Sequence, residues 1–282
     1  MSPVFPPKPD ALRALFAQAK PIIGVLHLLP LPGAPRYKGD SLDMIVDHAL
    51  TDTASFRDGG VDGIIVENGW DLPFAKPDDI GVETVAAMTA VAREVKREVG
   101  LPVGINCLAN AAIPSLAVAK ASGANFVRVN QWANAYVANE GFIEGAAAKA
   151  MRYRAAIRAD EVSIFADVHV KHGSHAIVAD RTLAEQTRDV EWFDADVLIA
   201  TGNRTGDPTP VPEIEGIKDH ASLPVIVGSG LTADNAKEIL THADGAIVAT
   251  SLKADGVWWN PVDIDRVRRL MDVVHDMRAV TS

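Results

Sequence analysis

Residues 225–232 read VIVGSGLT, a short apolar run that ends in a glycine-rich turn, and residues 246–253 read AIVATSLK, a second apolar run followed by polar residues. Glycines let backbone N–H groups approach an anion closely, and a helix predicted to begin directly after Thr232 would add partial positive charge. Lys253 would either add an ammonium group or simply be solvated. The two turns predict a phosphate-binding site. Its residues would be Gly228, Ser229, Gly230, Thr250 and Ser251.

Outward from these turns, short β-branched runs alternate with longer helical patterns along most of the chain, which is typical of βαβ units and a parallel sheet. The predicted strands cover residues 22–27, 63–67, 103–107, 126–130, 163–170, 197–201, 225–228 and 246–250. The predicted helices cover residues 41–58, 80–99, 114–122, 141–159, 182–192, 212–220, 233–242 and 262–277. This alternation predicts an α/β fold, a (β/α)8 TIM barrel, in which the loops after the last two strands frequently bind phosphate.

An open doubly wound sheet is the main alternative to a barrel. That fold usually places a glycine-rich nucleotide-binding turn directly after its first strand. Here the first predicted strand is followed by residues 28–33, LLPLPG, which offer nothing to cradle a pyrophosphate. The glycine-rich turns follow the later strands instead, as a barrel requires.

The length and composition suit one folded domain. The chain has 282 residues, of which 48% are hydrophobic and 23% charged, and a barrel of this kind uses roughly 250 residues. We expect an N-terminal extension at residues 1–20 and a single barrel domain at residues 21–282.

The acidic charge balance and the cysteine content narrow the classes of partner and compartment. Lys plus Arg number 27 against 37 Asp plus Glu, a net charge of -10 without a basic run, so nucleic acid is not an expected partner. No apolar run approaches the roughly 18 residues that span a bilayer, so membrane insertion is not expected. Cys107 is the single cysteine, which excludes an internal disulfide and favours a reducing compartment. The predicted location is the cytoplasm.

Polar side chains at the carboxyl ends of barrel strands indicate catalysis, because helices cover the outside of the strands and charges must face the barrel mouth. The densest group is residues 165–172, FADVHVKH, where strict alternation would send Asp167, His169 and Lys171 to one face. With Glu67, these three residues are the predicted catalytic groups, acting by general acid/base chemistry. The predicted substrate-binding residues are His27, Asn68, Asn106, Arg128, Asn130, Thr201 and Gly202.

Alternatives stay open for several of these side chains. Glu67, Asp167 and His169 could bind a divalent cation, although the sequence requires no cofactor and contains no tight metal-binding motif. Lys171 could form a Schiff base with a carbonyl substrate, or it could pair with a carboxylate. Arg128 could clamp a substrate anion or form an internal ion pair.

Aromatic residues in the loops suggest a lid or a contact between copies. Residues 68–77, NGWDLPFAKP, form a long loop that could close over a ligand. The aromatic side chains of residues 131–136, QWANAY, could stack on a flat group or pack on that loop. Trp258 and Trp259 more often mark packing or a subunit contact than catalysis, so a homo-oligomer is a further hypothesis.

Five stretches of the chain resemble the BtpA/SgcQ family. They are residues 23–33 (IGVLHLLPLPG), 62–68 (DGIIVEN), 167–172 (DVHVKH), 201–202 (TG) and 228–230 (GSG) with Asn235. The resemblance spans about residues 21–277 and implies a barrel of the ribulose-phosphate-binding type. One branch of the family is named after photosystem I biogenesis and another occurs with sugar-uptake and sugar-phosphate genes. The resemblance therefore implies a fold and a ligand class, and no particular catalytic residues.

Two classes of function follow from these patterns. The first is an enzyme that isomerises, epimerises or cleaves a phosphorylated sugar or nucleoside-like small molecule. The second is a non-catalytic assembly or stability factor of the photosystem I biogenesis type. The enzyme is favoured because a relic pocket need not keep so many ionisable groups at one barrel mouth, where each costs stability unless it is paired.

Overall fold

Eight parallel strands close into a barrel at the centre of the molecule. The computed structural model describes residues 7–202, 204 and 206–281. The strands are β1 (Ile22–His27), β2 (Gly63–Glu67), β3 (Val103–Asn106), β4 (Phe126–Val129), β5 (Ala135–Ala138), β6 (Gly141–Glu144), β7 (Ser163–His169), β8 (Val197–Ala200), β9 (Val225–Val227) and β10 (Ala246–Val248). Around the barrel their order is β1, β10, β9, β8, β7, β4, β3, β2, while β5 and β6 form a separate antiparallel hairpin. The predicted TIM barrel is confirmed.

Helices alternate with the strands and cover the outside of the barrel. They are α1 (Ala11–Leu15), α2 (Leu42–Gly59), α3 (Val82–Val99), α4 (Ala112–Ser122), α5 (Ala147–Ala156), α6 (Leu183–Trp192), α7 (Val211–Lys218), α8 (Ala236–His242) and α9 (Ile264–Thr281). The β5–β6 hairpin occupies the predicted start of α5, which begins later. Helix α8 also begins later than expected, because the side chains of Thr232 and Asn235 accept hydrogen bonds from each other's backbone N–H in the preceding turn.

Local signals in the sequence set several helix ends. The Ser41 hydroxyl accepts a hydrogen bond from the backbone N–H of Met44 at the start of α2. The same helix is followed by Gly60 at φ 93°, a left-handed conformation that glycine adopts without strain. Within the described ranges, no helix combines the length and the apolar composition that crossing a membrane requires.

The inside of the barrel has an apolar layer and, closer to the carboxyl ends of the strands, a polar layer. Phe126 and Phe165 belong to the apolar layer, and their rings stack with centroids 4.4 Å apart. Side chains two positions apart on a strand face the same way. Arg128 and Asp167 therefore lie directly above these rings, and Glu67 occupies the same layer on β2; all three are buried. The fold alone thus brings charged groups from separate strands together.

Helix α1 closes the amino-terminal end of the barrel. Leu12 and Phe16 are buried against the interior apolar layer, and the ring of Phe16 meets that of Phe126 edge-on with centroids 6.1 Å apart. The described part of the predicted N-terminal extension thus packs as part of the barrel core. Residues 1–6 of the extension lie outside the described residues.

A buried ion pair fixes the loop after β10 to α2. Lys253 Nζ lies 2.8 Å from Asp52 Oδ2, and both side chains are almost inaccessible to solvent. The other oxygen, Asp52 Oδ1, accepts a hydrogen bond from the backbone N–H of Val262. Both sequence interpretations of Lys253, as a phosphate ligand or as a solvated side chain, were wrong. The side chain turns into the layer between strands and helices, where its Nζ lies 5.8 Å from the centre of the Phe56 ring.

Replacement of Asp52 by alanine should lower the free energy of unfolding by about 3–5 kcal/mol, because Lys253 would stay buried without its counter-charge. Urea titration measures this loss. The double variant Asp52→Ala, Lys253→Met should recover most of it. The control Asp78→Ala breaks an exposed pair with Lys149 and should cost less than about 1 kcal/mol. Equal losses of unfolding free energy for Asp52→Ala and Asp78→Ala would contradict the assignment of a stabilising buried ion pair to Asp52 and Lys253.

Candidate functional site

The carboxyl ends of the barrel strands open into a large cavity of about 760 Å³. Cavities of this size commonly bind small molecules. Its floor is formed by polar residues of β1 to β4 and of the segment after β7, and one wall by the loops after β9 and β10. Its rim includes the aromatic side chains of Phe74, Tyr136 and Trp258.

A buried ion pair supports the floor of the cavity. Arg128 Nε and Nη2 donate to Asp167 Oδ1 and Oδ2, each over 3.0 Å. Burial opposes the charge on Arg128, but Asp167 and then Glu67 outweigh it and raise the pKa of the guanidinium. Arg128 lines the cavity, whereas Asp167 does not, and both carboxylate oxygens of Asp167 are engaged. The internal ion pair expected as an alternative for Arg128 is present, and Asp167 has no free oxygen for acid/base work.

Glu67 is a carboxylate that opens onto the cavity. Its Oε2 accepts a hydrogen bond of 2.6 Å from Asn106 Nδ2, and its Oε1 lies 3.4 Å from His27 Nε2. Burial acts to raise the pKa of Glu67, but His27, then the charge of Arg128, and Asn106 together lower it. Glu67 is therefore ionised at neutral pH and can accept a proton. His27 is held from its other side, where Nδ1 lies 3.2 Å from the Trp258 carbonyl.

A β-bulge in β7 breaks the alternation that the sequence predicted. Asp167 pairs with one residue of β8 and His169 with the very next one, Ala200, so β7 has an extra residue at this point. His169 consequently shares the outward orientation of Ala200 and does not line the cavity. Its ring lies against that of His175 at an interplanar angle of 30°, with centroids 3.8 Å apart. The expectation that Asp167, His169 and Lys171 share one face was wrong.

His169 is also a poor proton carrier in this position. Burial, followed by the charge of His175, lowers the pKa of His169 to about 4. The imidazole is therefore neutral across the physiological range of pH. Its carbonyl oxygen accepts a hydrogen bond from Thr201 Oγ1, which helps to hold the bulge.

The bulge leaves Lys171 reaching into the cavity. Its Nζ donates to the carbonyl oxygen of Gly228 over 3.3 Å. The acidic groups whose charges act on it, Asp167 and Glu67, are already paired with Arg128 and with other cavity residues. Burial, and then the charge of Arg128, lower the pKa of Lys171 to about 8. The neutral amine is therefore well populated at slightly alkaline pH.

Two side-chain amides present unpaired acceptors in the cavity. Asn106 Oδ1 and Asn130 Oδ1 are buried and have no hydrogen-bond partner among the described residues. Both residues line the cavity. Because buried polar atoms are nearly always paired, these oxygens are suited to hydroxyl or amino donors of a ligand. The substrate-binding roles of the two asparagines stay a prediction.

The glycine-rich turn after β9 and the loop after β10 form one wall of the cavity. Ser251 Oγ donates to the Leu231 carbonyl over 2.6 Å, which ties the two loops together. Ser229 Oγ donates to the Arg204 carbonyl over 3.2 Å. Since both hydroxyls are engaged, this wall would offer an anion mainly backbone N–H groups. The cavity lining includes all five predicted phosphate residues, Gly228, Ser229, Gly230, Thr250 and Ser251.

Arg266 adds a positive charge to the cavity lining, and the sequence reasoning missed it. The residue lies in the first turn of α9, and its pairing with Asp263 is loose, with 3.6 Å between Nε and Oδ2. The predicted functional residues were all in strand ends and loops, and none was in a helix. A signal was nevertheless present, because the first turn of a helix after a barrel strand lies at the same end of the barrel as the strand's carboxyl end.

The tryptophans of the last loop are divided between the cavity and the surface. Trp258 lines the cavity and packs edge-on against His27, with ring centroids 5.5 Å apart. It also contacts Trp70 at an interplanar angle of 45°, with centroids 4.9 Å apart. Trp259 is 57% exposed. The sequence pattern predicted packing or a subunit contact for both tryptophans, yet Trp258 lines the cavity.

Three predicted substrate-binding residues brace loops and do not line the cavity. Asn68 accepts a hydrogen bond from the backbone N–H of Leu108 over 2.7 Å and so connects the loops after β2 and β3. Thr201 Oγ1 accepts from the backbone N–H of Lys171 over 3.2 Å. Gly202 N–H donates to a carboxylate on α7 over 3.2 Å. These residues position the segments that carry cavity residues.

The hypothetical metal site is not assembled. Within the part of the chain that the structure describes, no three His, Cys, Asp or Glu side chains converge as metal ligands would. Asp167 is occupied by Arg128, and His169 turns away from Glu67. These three predicted ligands do not form a common site.

Gly230→Ala should disturb the wall formed by the loops after β9 and β10. Gly230 has φ 72°, and a β-carbon there would overlap the Asp207 carbonyl. The matched control is Gly39→Ala, at φ 89° with no atom within 4 Å of the added carbon. Gly39→Ala should cost about 1 kcal/mol of unfolding free energy from backbone strain alone. Gly230→Ala should cost clearly more in the same urea titration. Equal costs would show that the turn tolerates a side chain.

The fold and the site together define a class of protein: a (β/α)8 barrel with a small-molecule cavity at the carboxyl ends of its strands. The chain belongs to the BtpA family, whose model matches residues 18–276. It is 43% identical over 252 residues to an uncharacterized protein of Archaeoglobus fulgidus, covering 89% of this chain and 97% of that one. It is 38% identical over 260 residues to the photosystem I biogenesis protein BtpA of Synechocystis sp., covering 92% and 89%.

A solved structure shows the same architecture at low sequence identity. N-(5'-phosphoribosyl)anthranilate isomerase from Pyrococcus furiosus superimposes with a TM-score of 0.56 and 12% identity, covering 91% of this chain and 99% of that chain. At this level of identity the likeness shows the fold alone.

Proposed function

We propose that this protein is an enzyme that binds a phosphorylated sugar or nucleoside-like small molecule and isomerises, epimerises or cleaves it by proton transfer. The observation that carries the proposal is that one cavity combines an ionised carboxylate, Glu67, with a glycine-rich wall suited to an anion. The name of a structural neighbour, a phosphoribosyl isomerase, supports the ligand class by analogy.

The cavity suggests a division of labour. The phosphate would lie against the backbone of residues 228–230 and 250–251, with Arg266 supplying a full positive charge. Hydroxyl groups of the ligand would donate to the free oxygens of Asn106 and Asn130. Glu67 would take a proton from the reacting carbon or hydroxyl, with His27 beside it as a proton carrier.

The phosphate end is expected to do more than hold the ligand. The binding energy of a phosphate group that does not itself react can hold the reacting carbon of the substrate next to the general base, Glu67. Removal of phosphate from the substrate should therefore lower kcat as well as affinity. In this proposal Arg128 lies beneath the reacting centre and stabilises negative charge that develops there.

The experiment that tests the proposal is a thermal-shift screen of the full chain against sugar phosphates, nucleotides and their unphosphorylated counterparts, with and without divalent cations. A ligand present at one hundred times its Kd stabilises the folded state by about 2.7 kcal/mol. We expect a response to phosphorylated compounds only. No response to any of them would overturn the proposal.

Arg266→Ala should reduce the affinity for the phosphorylated hit about tenfold or more, since hydrogen bonds to charged groups contribute about 1.5–3 kcal/mol. Isothermal titration calorimetry measures the change. Arg268→Ala is the matched control on the same helix, because Arg268 pairs with Asp265 and does not line the cavity. Similar losses for both variants would mean that Arg266 acts through general charge and not at the ligand.

Glu67→Gln should lower turnover of the identified substrate by about 10²–10⁴-fold while binding is kept, because the general base is lost and the shape is not. His169→Phe should leave turnover within a few-fold of the native rate, since that ring lies outside the cavity. Steady-state kinetics measures the turnover of the two variants. A silent Glu67→Gln variant would remove Glu67 from the catalytic role.

The second function, a non-catalytic assembly factor, draws support from the name of the Synechocystis relative. This function predicts that no compound in the thermal-shift screen stabilises the protein. It also predicts that the assembly role persists when Glu67 is substituted. The two functions are thus separated by the same set of measurements.

A further inference from the structure

Lys171 differs in its surroundings from the other described lysines whose pKa is lowered by burial. Burial also lowers the pKa of Lys20, Lys96 and Lys253. Each of these is fixed by two acceptors or by a carboxylate, and none lines the cavity. Lys171 instead projects into the ligand cavity and donates to one carbonyl oxygen, that of Gly228.

We propose that Lys171 forms a Schiff base with a carbonyl carbon of the substrate, which makes the substrate a phosphorylated aldehyde or ketone that carries hydroxyl groups. The inference rests on the proposed function, since the phosphate wall would deliver the carbonyl to the amine. It also narrows that function, because phosphorylated compounds without a carbonyl group would bind and not react.

The surroundings of Nζ suit this reaction. Among the described residues, Nζ has one hydrogen-bond partner, the carbonyl oxygen of Gly228, which leaves the amine able to present its lone pair to a ligand. A β-carbon at position 228 would lie 3.1 Å from Arg128 Nη2, so the glycine keeps this part of the floor open. Asn106 and Asn130 lie in the same cavity with free acceptor oxygens for the hydroxyl groups that neighbour a sugar carbonyl.

The covalent step balances without a further reactant. The Nζ lone pair attacks the carbonyl carbon and the C=O π electrons move to oxygen, which gives a carbinolamine. One proton from the amine and one from solvent leave with that oxygen as water, and a protonated C=N bond remains. This cation draws electrons from the adjacent carbon, so a base such as Glu67 could remove a proton there or a neighbouring C–C bond could break. Addition of water reverses the step and releases product.

The charges around Lys171 predict the pH dependence of the step. Arg128 on β4 and the neighbouring His172 face it, as do the carboxylates of Asp167 on β7 and Glu67 on β2. Only the neutral amine attacks a carbonyl, and the pKa of Lys171 is lowered to about 8. The rate of imine formation should therefore rise with pH up to about 8 and then level off. An ordinary exposed lysine would keep gaining reactivity well above that pH.

The test is reductive trapping of the full chain. The protein is incubated with dihydroxyacetone phosphate or ribulose 5-phosphate and then treated with sodium borohydride, which reduces an imine to a stable secondary amine. Intact-mass spectrometry should show one adduct with the mass of the ligand less one oxygen atom, and peptide mapping should place it on Lys171. No adduct with either ketone, or adducts spread over exposed lysines, would overturn the inference.

Two variants sharpen the result. Lys171→Arg keeps the positive charge and cannot form the imine, so the adduct should disappear. Lys96→Arg changes another lysine of lowered pKa outside the cavity, and the adduct should persist. If Lys171→Arg fails to fold, as circular dichroism would reveal, the mapping on the native chain still decides.

Unphosphorylated dihydroxyacetone separates this inference from the proposed function. Trapping on Lys171 that requires the phosphate supports both. Equal trapping with and without phosphate supports the imine and contradicts phosphate anchoring. Phosphate-dependent binding in the thermal-shift screen without any trapped adduct contradicts the imine alone.

Discussion

Arg128 donates two hydrogen bonds to the carboxylate of Asp167 inside the barrel, on top of stacked phenylalanine rings and away from bulk water. Two buried charges are tolerated there only because their geometry is bidentate. Loss of either partner would leave an uncompensated charge in the barrel interior. Arg128 also acts on the other ionisable groups of the floor: His27 and then Arg128 lower the pKa of Glu67 against the effect of its burial, and burial and then Arg128 lower the pKa of Lys171.

Burial and then Arg128 favour the unprotonated form of Lys171, against the two nearby carboxylates, and the charge balance of the floor would change when an imine forms. Glu67 and Asp167 are negative and Arg128 is positive, so a neutral Lys171 leaves an excess of negative charge near the reacting centre. A protonated imine on Lys171 would restore a second positive charge where electrons accumulate during proton abstraction or bond cleavage. The whole chain carries a net charge of -10, so an anionic ligand must be attracted by local donors.

The barrel and its glycine-rich turns could be predicted from the sequence because both depend on short-range patterns. A β-branched run followed by Gly228-Ser229-Gly230 describes a strand and its turn without reference to the rest of the chain. The direction in which the His169 side chain points could not be predicted from the sequence. It depends on a β-bulge that is defined only by the pairing of β7 with β8. The burial of Lys253 likewise depends on Asp52, which is far away in sequence. Arg266, in contrast, could have been found from the sequence, because the first turn of the helix after the last strand lies at the barrel mouth.

Gly228 belongs both to the proposed phosphate wall and to the surroundings of the Lys171 amine. It was predicted as a phosphate residue, and its carbonyl oxygen also holds the amine of Lys171 while its missing side chain leaves space beside Arg128. A side chain at this position would meet Ile199 and Thr201 as well, so larger residues are excluded on both sides. The turn that would bind a phosphate is therefore continuous with the backbone that positions the amine. The distance between an anchored phosphate and the reacting carbon would then be set by rigid backbone at the end of β9. Under the proposed function, a cavity built in this way would select ligands by the length between their phosphate and their carbonyl group.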